Sequence, residues 1–239
     1  MTPSTLVKAS AGRSCTFTIR SPALLTVVAT RNRGYFMKSS LLSVILSLPA
    51  LCAGSDGFVS LMPKEDVREL WVIEGTPPET WRVENGMIRC TGKPDGFLRS
   101  KKVYKNFVFR AEWRFQTEGW KPGREEWPNA GFFINAGRVD RTWPIAQEVQ
   151  GYFGEAGSLF GIRGGKITGA KRGDFVKNRP PFGSWDRYEI TQVNGRVRVV
   201  LNGEPVNEGW DAEPSEGNIC LQSEGWPVDY RNVEIKELK

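Results

Sequence analysis

The chain has 239 residues, of which 39% are hydrophobic, 25% charged and 11% aromatic; this excludes disordered and collagen-like chains and allows one large β domain or two small ones. It contains no histidine, which removes Ser-His-Asp triads, Cys-His nucleophiles and His-ligated zinc and leaves any chemistry to carboxylates, amides, Lys, Arg, Tyr or hydroxyls. The formal charge of +6 would suit a nucleic-acid or membrane-surface protein, but Lys8, Arg13, Arg20, Arg31, Arg33 and Lys38 all lie in residues 1–53, which hold no Asp or Glu. The remainder balances 27 basic against 27 acidic residues, so no nucleic-acid partner is expected.

Residues 1–53 read as a targeting segment. Met37 and Lys38 precede an apolar run from Leu41 to Leu51, and Cys52, Ala53 and Gly54 offer small residues for cleavage, the order of a signal peptide over about 37–53. Residues 1–36 then form either a long n-region or a stretch ahead of a true start at Met37. Leu51, where a lipobox wants a small residue, argues against lipidation of Cys52. The apolar run is too short to span a bilayer as a helix, and no later stretch reaches the ~20 apolar residues required. The expectation is an exported protein, periplasmic or extracellular, whose residues 54–239 form a single domain without a transmembrane helix.

Beyond the targeting segment, apolar residues recur with period 2. Short strands are predicted at Phe58–Met62, Glu69–Ile73, Thr80–Val83, Met87–Thr91 and Gly96–Ser100. A ten-residue strand follows from Phe107, with Phe107, Phe109, Ala111, Trp113 and Phe115 on one face and Val108, Arg110, Glu112, Arg114 and Gln116 on the other. Further strands are predicted at Ala130–Ala136, Ala146–Gly151, Arg187–Val193, Arg196–Leu201, Gly217–Gln222 and Val228–Glu237. Asn-Gly pairs at 85–86, 194–195 and 202–203 mark tight hairpins in which both turn residues need positive φ. The count suits an all-β fold of two stacked sheets. The segments 118–128 and 164–184, rich in Gly, Pro and Trp, are too long for simple hairpins and are candidate site walls. After cleavage only Cys90 and Cys220 remain of the cysteines; Cys220 lies out of phase with Ile219 and Leu221, so two unpaired thiols in different layers are expected.

Common catalytic motifs are absent: Lys166 follows two glycines but lacks the rest of a P-loop, and there is no CxxC pair, EF-hand loop or GxSxG elbow. Nine tryptophans, several beside Gly or Pro (Trp120, Trp127, Trp143, Trp185, Trp210, Trp226), offer flat surfaces for sugar rings as well as core anchors. Against this background eight segments follow in a known order: GFLRS from Gly96, FVFRAEWRF from Phe107, NAGFFIN from Asn129, EVQ from Glu148, GSLFG from Gly157, SWDRYEI from Ser184, LNGEPVN from Leu201, and ICLQSEGWPVDYRNVEIKEL from Ile219. On these the chain, from about residue 56 to its end, resembles the 3-keto-disaccharide hydrolase domain family.

The resemblance implies a concanavalin-like jelly-roll sandwich whose concave sheet faces a carbohydrate substrate. Strand phase then turns Glu148, Gln150, Gln222 and Arg231 away from the core. A laminarinase would carry an ExDxxE strand, but here Gln150 and Phe153 stand where the Asp and the final Glu belong. The implied chemistry is β-elimination from a sugar already oxidised to a ketone at C3, followed by hydration, which needs one base and an enolate stabiliser. Glu148 is the expected base, and Arg99 or Arg231 the expected stabiliser. Gln150 and Gln222 are expected to bind hydroxyls, Glu112 and Asn135 are further substrate-binding candidates, and Glu224 is a second candidate acid. No cofactor is required, and a divalent metal in place of the arginine is left open. The alternative is a noncatalytic, lectin-like carbohydrate-binding module, because the same sandwich binds glycans without chemistry.

Overall fold

The computed structural model describes residues 56–121, 128–137, 142–175 and 180–239. The expectations for residues 1–53, and for Trp127, lie outside the described residues. The described part belongs to one compact unit, residues 51–239.

Its strands in chain order begin with β1 (Val59–Ser60), β2 (Trp71–Glu74), β3 (Trp81–Glu84), β4 (Met87–Cys90) and β5 (Gly96–Ser100). Then come β6 (Phe107–Phe115), β7 (Gly131–Ala136), β8 (Ala146–Gln150), β9 (Leu159–Ile162) and β10 (Lys166–Thr168). The series closes with β11 (Asp186–Val193), β12 (Arg196–Leu201), β13 (Glu204–Glu213), β14 (Asn218–Ser223) and β15 (Val228–Glu237). A nine-stranded sheet runs β10-β13-β12-β11-β6-β15-β4-β3 with β1 on β15, and a six-stranded sheet runs β2-β5-β14-β7-β8-β9. All pairings are antiparallel, which gives the expected all-β two-sheet jelly roll.

The alternation of β6 works as read. Phe107, Phe109, Ala111, Trp113 and Phe115 are buried between the sheets, packed with Phe132, Ile134, Val149 and Leu221 from the facing sheet. The three Asn-Gly pairs are hairpin turns with both residues at positive φ: 52° and 71°, 48° and 78°, 53° and 88°.

Three strands are absent from the sequence reading: β9, β10 and β13. The ten residues of β13 carry almost no apolar alternation, because its inward positions are filled by other means. Gly209 packs backbone against Ile167 and Ala170, and buried Asn207 bonds the carbonyls of Gly157 (2.9 Å) and Lys171 (2.7 Å). Strand β10 lies inside the segment read as one long loop.

Asn135 lies between the sheets. It is fully buried at φ 54°, donates to Gln147 at 2.7 Å and to Gln192 at 2.5 Å, and accepts from Gln192 at 2.7 Å. The three amides tie β7 and β8 to β11. Asn135 is thus placed in a satisfied polar network of the core, away from any surface a substrate reaches.

Candidate active site

Because directly paired strand residues share a face, register defines the outer face of the six-stranded sheet. One row across it is Val72, Arg99, Cys220, Phe133, Glu148 and Phe160. The adjacent row is Glu74, Phe97, Gln222, Gly131 and Gln150, in which Leu221↔Phe132 sets Gln222 beside Gly131. Strands β5, β7, β8 and β14 show little polar-out alternation, since this face is itself covered. Phe97, Phe133, Ala136, Ala146 and Cys220 form a second buried cluster on it, capped by Trp143, whose ring lies 5.5 Å from Phe133 and 6.2 Å from Phe97.

Beside that aromatic cluster lie the carboxyls. Glu148 is 7% exposed and accepts from Gln222 Nε2 at 3.2 Å. Strands β14 and β8 flank β7 and so stand about 10 Å apart; the bond spans the gap because Gly131 presents no side chain between them. A Cβ at Gly131 would lie 2.5 Å from Gln222 Oε1. Burial raises Glu148 from 4.5 to about 7, and the charge of Glu224 adds to the rise, while the Gln222 hydrogen bond and the Arg172 charge oppose it. Glu224, two residues beyond Gln222 at the end of β14, is also raised to about 7, by burial and then by the charge of Asp95, with a hydrogen bond from Asn129 opposing. Both carboxyls are thus shifted toward neutrality, Glu148 buried and Glu224 half-buried, which makes them the candidate acid–base groups of a chain without imidazole.

Of the residues singled out in the sequence, the fold brings Glu148, Gln150, Gln222, Glu224 and Arg99 onto this face. Gln150 is turned to structure, its Oε1 accepting from the Tyr152 amide at 2.9 Å. Arg99 lies three strands from Glu148, about 14 Å across the sheet, and both its Nε (2.9 Å) and Nη2 (2.8 Å) bond Glu74 Oε1. Arg231 and Glu112 are placed on the outer face of the nine-stranded sheet, where they bond each other at 2.7 Å. The Arg231 guanidinium also lies 3.9 Å above the Trp185 ring. These two residues are therefore not brought together with Glu148.

The sequence reading did not select Arg172, Asn129 or Asp95. Arg172 sits over the ring of Phe160, the cross-strand neighbour of Glu148, at 4.2 Å, and pairs with Glu155 at 3.3 Å. Asn129 forms an isolated bridge with Glu224. All three lie outside strands, where period-2 patterning carries no information; the Asn that opens the NAGFFIN segment was the one available signal. Cys90 and Cys220 are both free and buried, in the inter-sheet core and under Trp143 respectively; burial pushes the Cys90 thiol to about 11 and raises that of Cys220, so neither is a nucleophile. Among the described residues no three Cys, Asp or Glu side chains converge into a set that could hold a metal ion, and no helix is long and apolar enough to cross a membrane.

The molecule is a two-sheet antiparallel β-sandwich, with Glu148 on its six-stranded sheet and Glu224 just beyond the end of β14. The sequence profile of the 3-keto-alpha-glucoside-1,2-lyase-like domain matches residues 57–236, and the chain belongs to that family. No curated protein matches it by sequence. Among solved structures, a proposed glycosyl hydrolase from Parabacteroides distasonis ATCC 8503 is 22% identical with a TM-score of 0.56, covering 77% of this chain and 95% of its own. A second from the same organism is 19% identical with a TM-score of 0.55, covering 76% and 99%. The carbohydrate-binding module CBM66 from Bacillus subtilis is 15% identical with a TM-score of 0.52, covering 70% and 95%. At these identities the likeness is one of fold.

Proposed function

We propose that the protein acts on carbohydrates as a lyase or hydrolase of glycosides that carry a ketone at C3. The observation that carries this reading is Glu148, buried on the outer face of the six-stranded sheet and hydrogen-bonded by Gln222, with the half-buried Glu224 near enough for its charge to act on it. A C3 ketone acidifies the proton on C2, so a single carboxylate of raised basicity suffices to remove it.

In the first step Glu148 takes the C2 proton, and the C2–H electron pair moves through the enolate. It forms the C1–C2 double bond and expels the glycosidic oxygen from C1. That oxygen leaves as an alcohol with the proton held by Glu224. Arg172 supplies positive charge toward the enolate oxygen. In the second step water adds its oxygen to C1, Glu224 accepts the proton released from that water, and Glu148, its carboxyl proton exchanged with the entering solvent, delivers a proton to C2. The sum is hydrolysis, with both carboxyls restored. Catalysis then requires Glu148 ionised and Glu224 protonated, so kcat/KM falls on both sides of a maximum near pH 7, with the two limbs belonging to the pair.

The test compares a chromogenic glucoside with its 3-keto form. Release from the keto form alone supports the reading. Equal release from both indicates conventional glycoside hydrolysis, and binding of the keto form without release indicates a carbohydrate-binding module.

A further inference from the structure

Among the described residues three buried side-chain polar atoms have no hydrogen-bond partner: Trp113 Nε1, Asn129 Oδ1 and Gln222 Oε1. Buried orphans of this kind are rare because each forfeits its hydration without compensation. One of them, Gln222 Oε1, is the carbonyl oxygen of the carboxamide whose N–H bonds the buried Glu148: donor toward the carboxyl, acceptor left without a donor. Another, Asn129 Oδ1, belongs to the residue that bridges Glu224.

An N–H pointing at a carboxyl favours the ionised form. Once the carboxyl takes a proton it keeps one acceptor oxygen but gains an O–H that needs an acceptor, and the amide oxygen is the unpaired acceptor at hand. A carboxamide presents that oxygen by half a turn about its terminal bond, which exchanges two atoms of nearly equal size. We infer that Gln222 is a positioning residue that turns with the proton, its amide donating to the Glu148 carboxylate and, after proton transfer, presenting its now unpaired oxygen to the carboxylic O–H. Gln222 has the room, since its Oε1 lies over the bare backbone of Gly131. The device keeps both protonation states of Glu148 hydrogen-bonded by the protein itself at 7% exposure.

The charged and titratable groups around Glu148 come from several elements. Glu224 faces it from the end of β14 and Arg172 from the loop after β10, the latter paired with Glu155. Asp95, ahead of β5, faces Glu224, and the buried Tyr230 phenol on β15 also feels the Glu224 charge and donates to the Gln222 backbone carbonyl at 2.6 Å. The Arg99–Glu74 pair and the Cys220 thiol lie further along the same face.

The inference rests on reading Glu148 and Glu224 as the acid–base pair, but its test needs no substrate. In the isotopically labelled full chain, the Gln222 side-chain NH₂ protons should show an NOE to Gly131 Hα at acidic pH, when nitrogen lies over the glycine. That NOE should vanish at alkaline pH with the midpoint of the Glu148 carboxyl carbon, and Glu148→Gln should abolish the transition. An NOE unchanged with pH, or a Gln222 transition that survives Glu148→Gln, overturns the inference.

As a second readout, Gln222→Met keeps side-chain length and removes both donor and acceptor. It should raise the Glu148 midpoint and lower kcat on a 3-keto glucoside by about tenfold while KM stays within about twofold; an unchanged midpoint counts against the inference. A fixed amide with keto-specific turnover leaves the proposed reaction standing, and a turning amide without turnover leaves only the amide device.

Discussion

Replacing Glu148 by glutamine separates what this residue does for the reaction from what it costs the fold. A carboxyl moved from 4.5 to about 7 prefers its neutral form in the folded chain by about 3 kcal/mol. The folded state therefore binds more protons than the unfolded state between those values. Stability associated with this group is fully present below pH 4.5, declines as pH rises, and is lost above about 7, where the buried carboxylate must ionise. Glu148→Gln keeps the shape and removes the ionisation. The variant should match the parent near pH 4 and be more stable at pH 8 by up to about 3 kcal/mol, a difference that already contains the relief of repulsion with the Glu224 charge. It should also lose turnover by roughly 10² to 10⁴, the usual contribution of a general base. Urea unfolding at pH 4, 6 and 8, with activity measured on the same preparations, reads both effects. A stability difference that is constant with pH, or a loss of stability at pH 8, would show that Glu148 is ionised at little cost in the folded protein and would refute the reasoning.

Other consequences are simpler to measure. In Gly131→Ala the new Cβ would stand 2.5 Å from Gln222 Oε1 and 3.2 Å from the Val149 carbonyl, so the amide is displaced from Glu148. The stability loss should be about 1–3 kcal/mol, as for other overpacked sites, with an about tenfold fall in rate; a fully active variant would remove the Gln222 bridge from the account. Glu112→Gln, on the other sheet, should change the rate less than about twofold and the stability by less than about 1 kcal/mol, because Arg231 is substantially exposed in that pair. Loss of turnover in that variant would move the site to the nine-stranded sheet. For export, intact mass of secreted protein should place its first residue within two positions of Gly54, and retention of residues 1–36 would contradict the targeting reading.

The fold was legible where one strand face met the core and the other met water. In β6 and β15 the alternation, and at three hairpins the Asn-Gly pairs, were sufficient. Period 2 lost its meaning at β7 and β14, which are buried on both faces, and at β13, whose inward positions are an asparagine, a glycine and only one apolar side chain, Ala212. For the site, phase correctly turned Glu148 and Gln222 away from the core, but phase cannot say which sheet an outward residue joins. Arg231 and Glu112 share that outward sense and lie on the opposite layer, joined to each other. Asn135, a substrate-binding candidate under the resemblance, lies within the core, bonded to Gln147 and Gln192. Arg172 and Asn129 approach the carboxyls from outside the strands, a meeting that only tertiary structure reveals.

Everything proposed for the chemistry turns on whether a proton leaves C2. Turnover of a 3-keto glucoside carrying deuterium at C2 should be slower than that of the protiated sugar, and turnover of the protiated sugar in D₂O should yield a 3-keto product with deuterium at C2, both effects disappearing with the activity in Glu148→Gln. Equal rates for the two isotopologues, together with a product that keeps its original C2 hydrogen in D₂O, would mean that the glycosidic bond breaks without proton abstraction and would contradict the account.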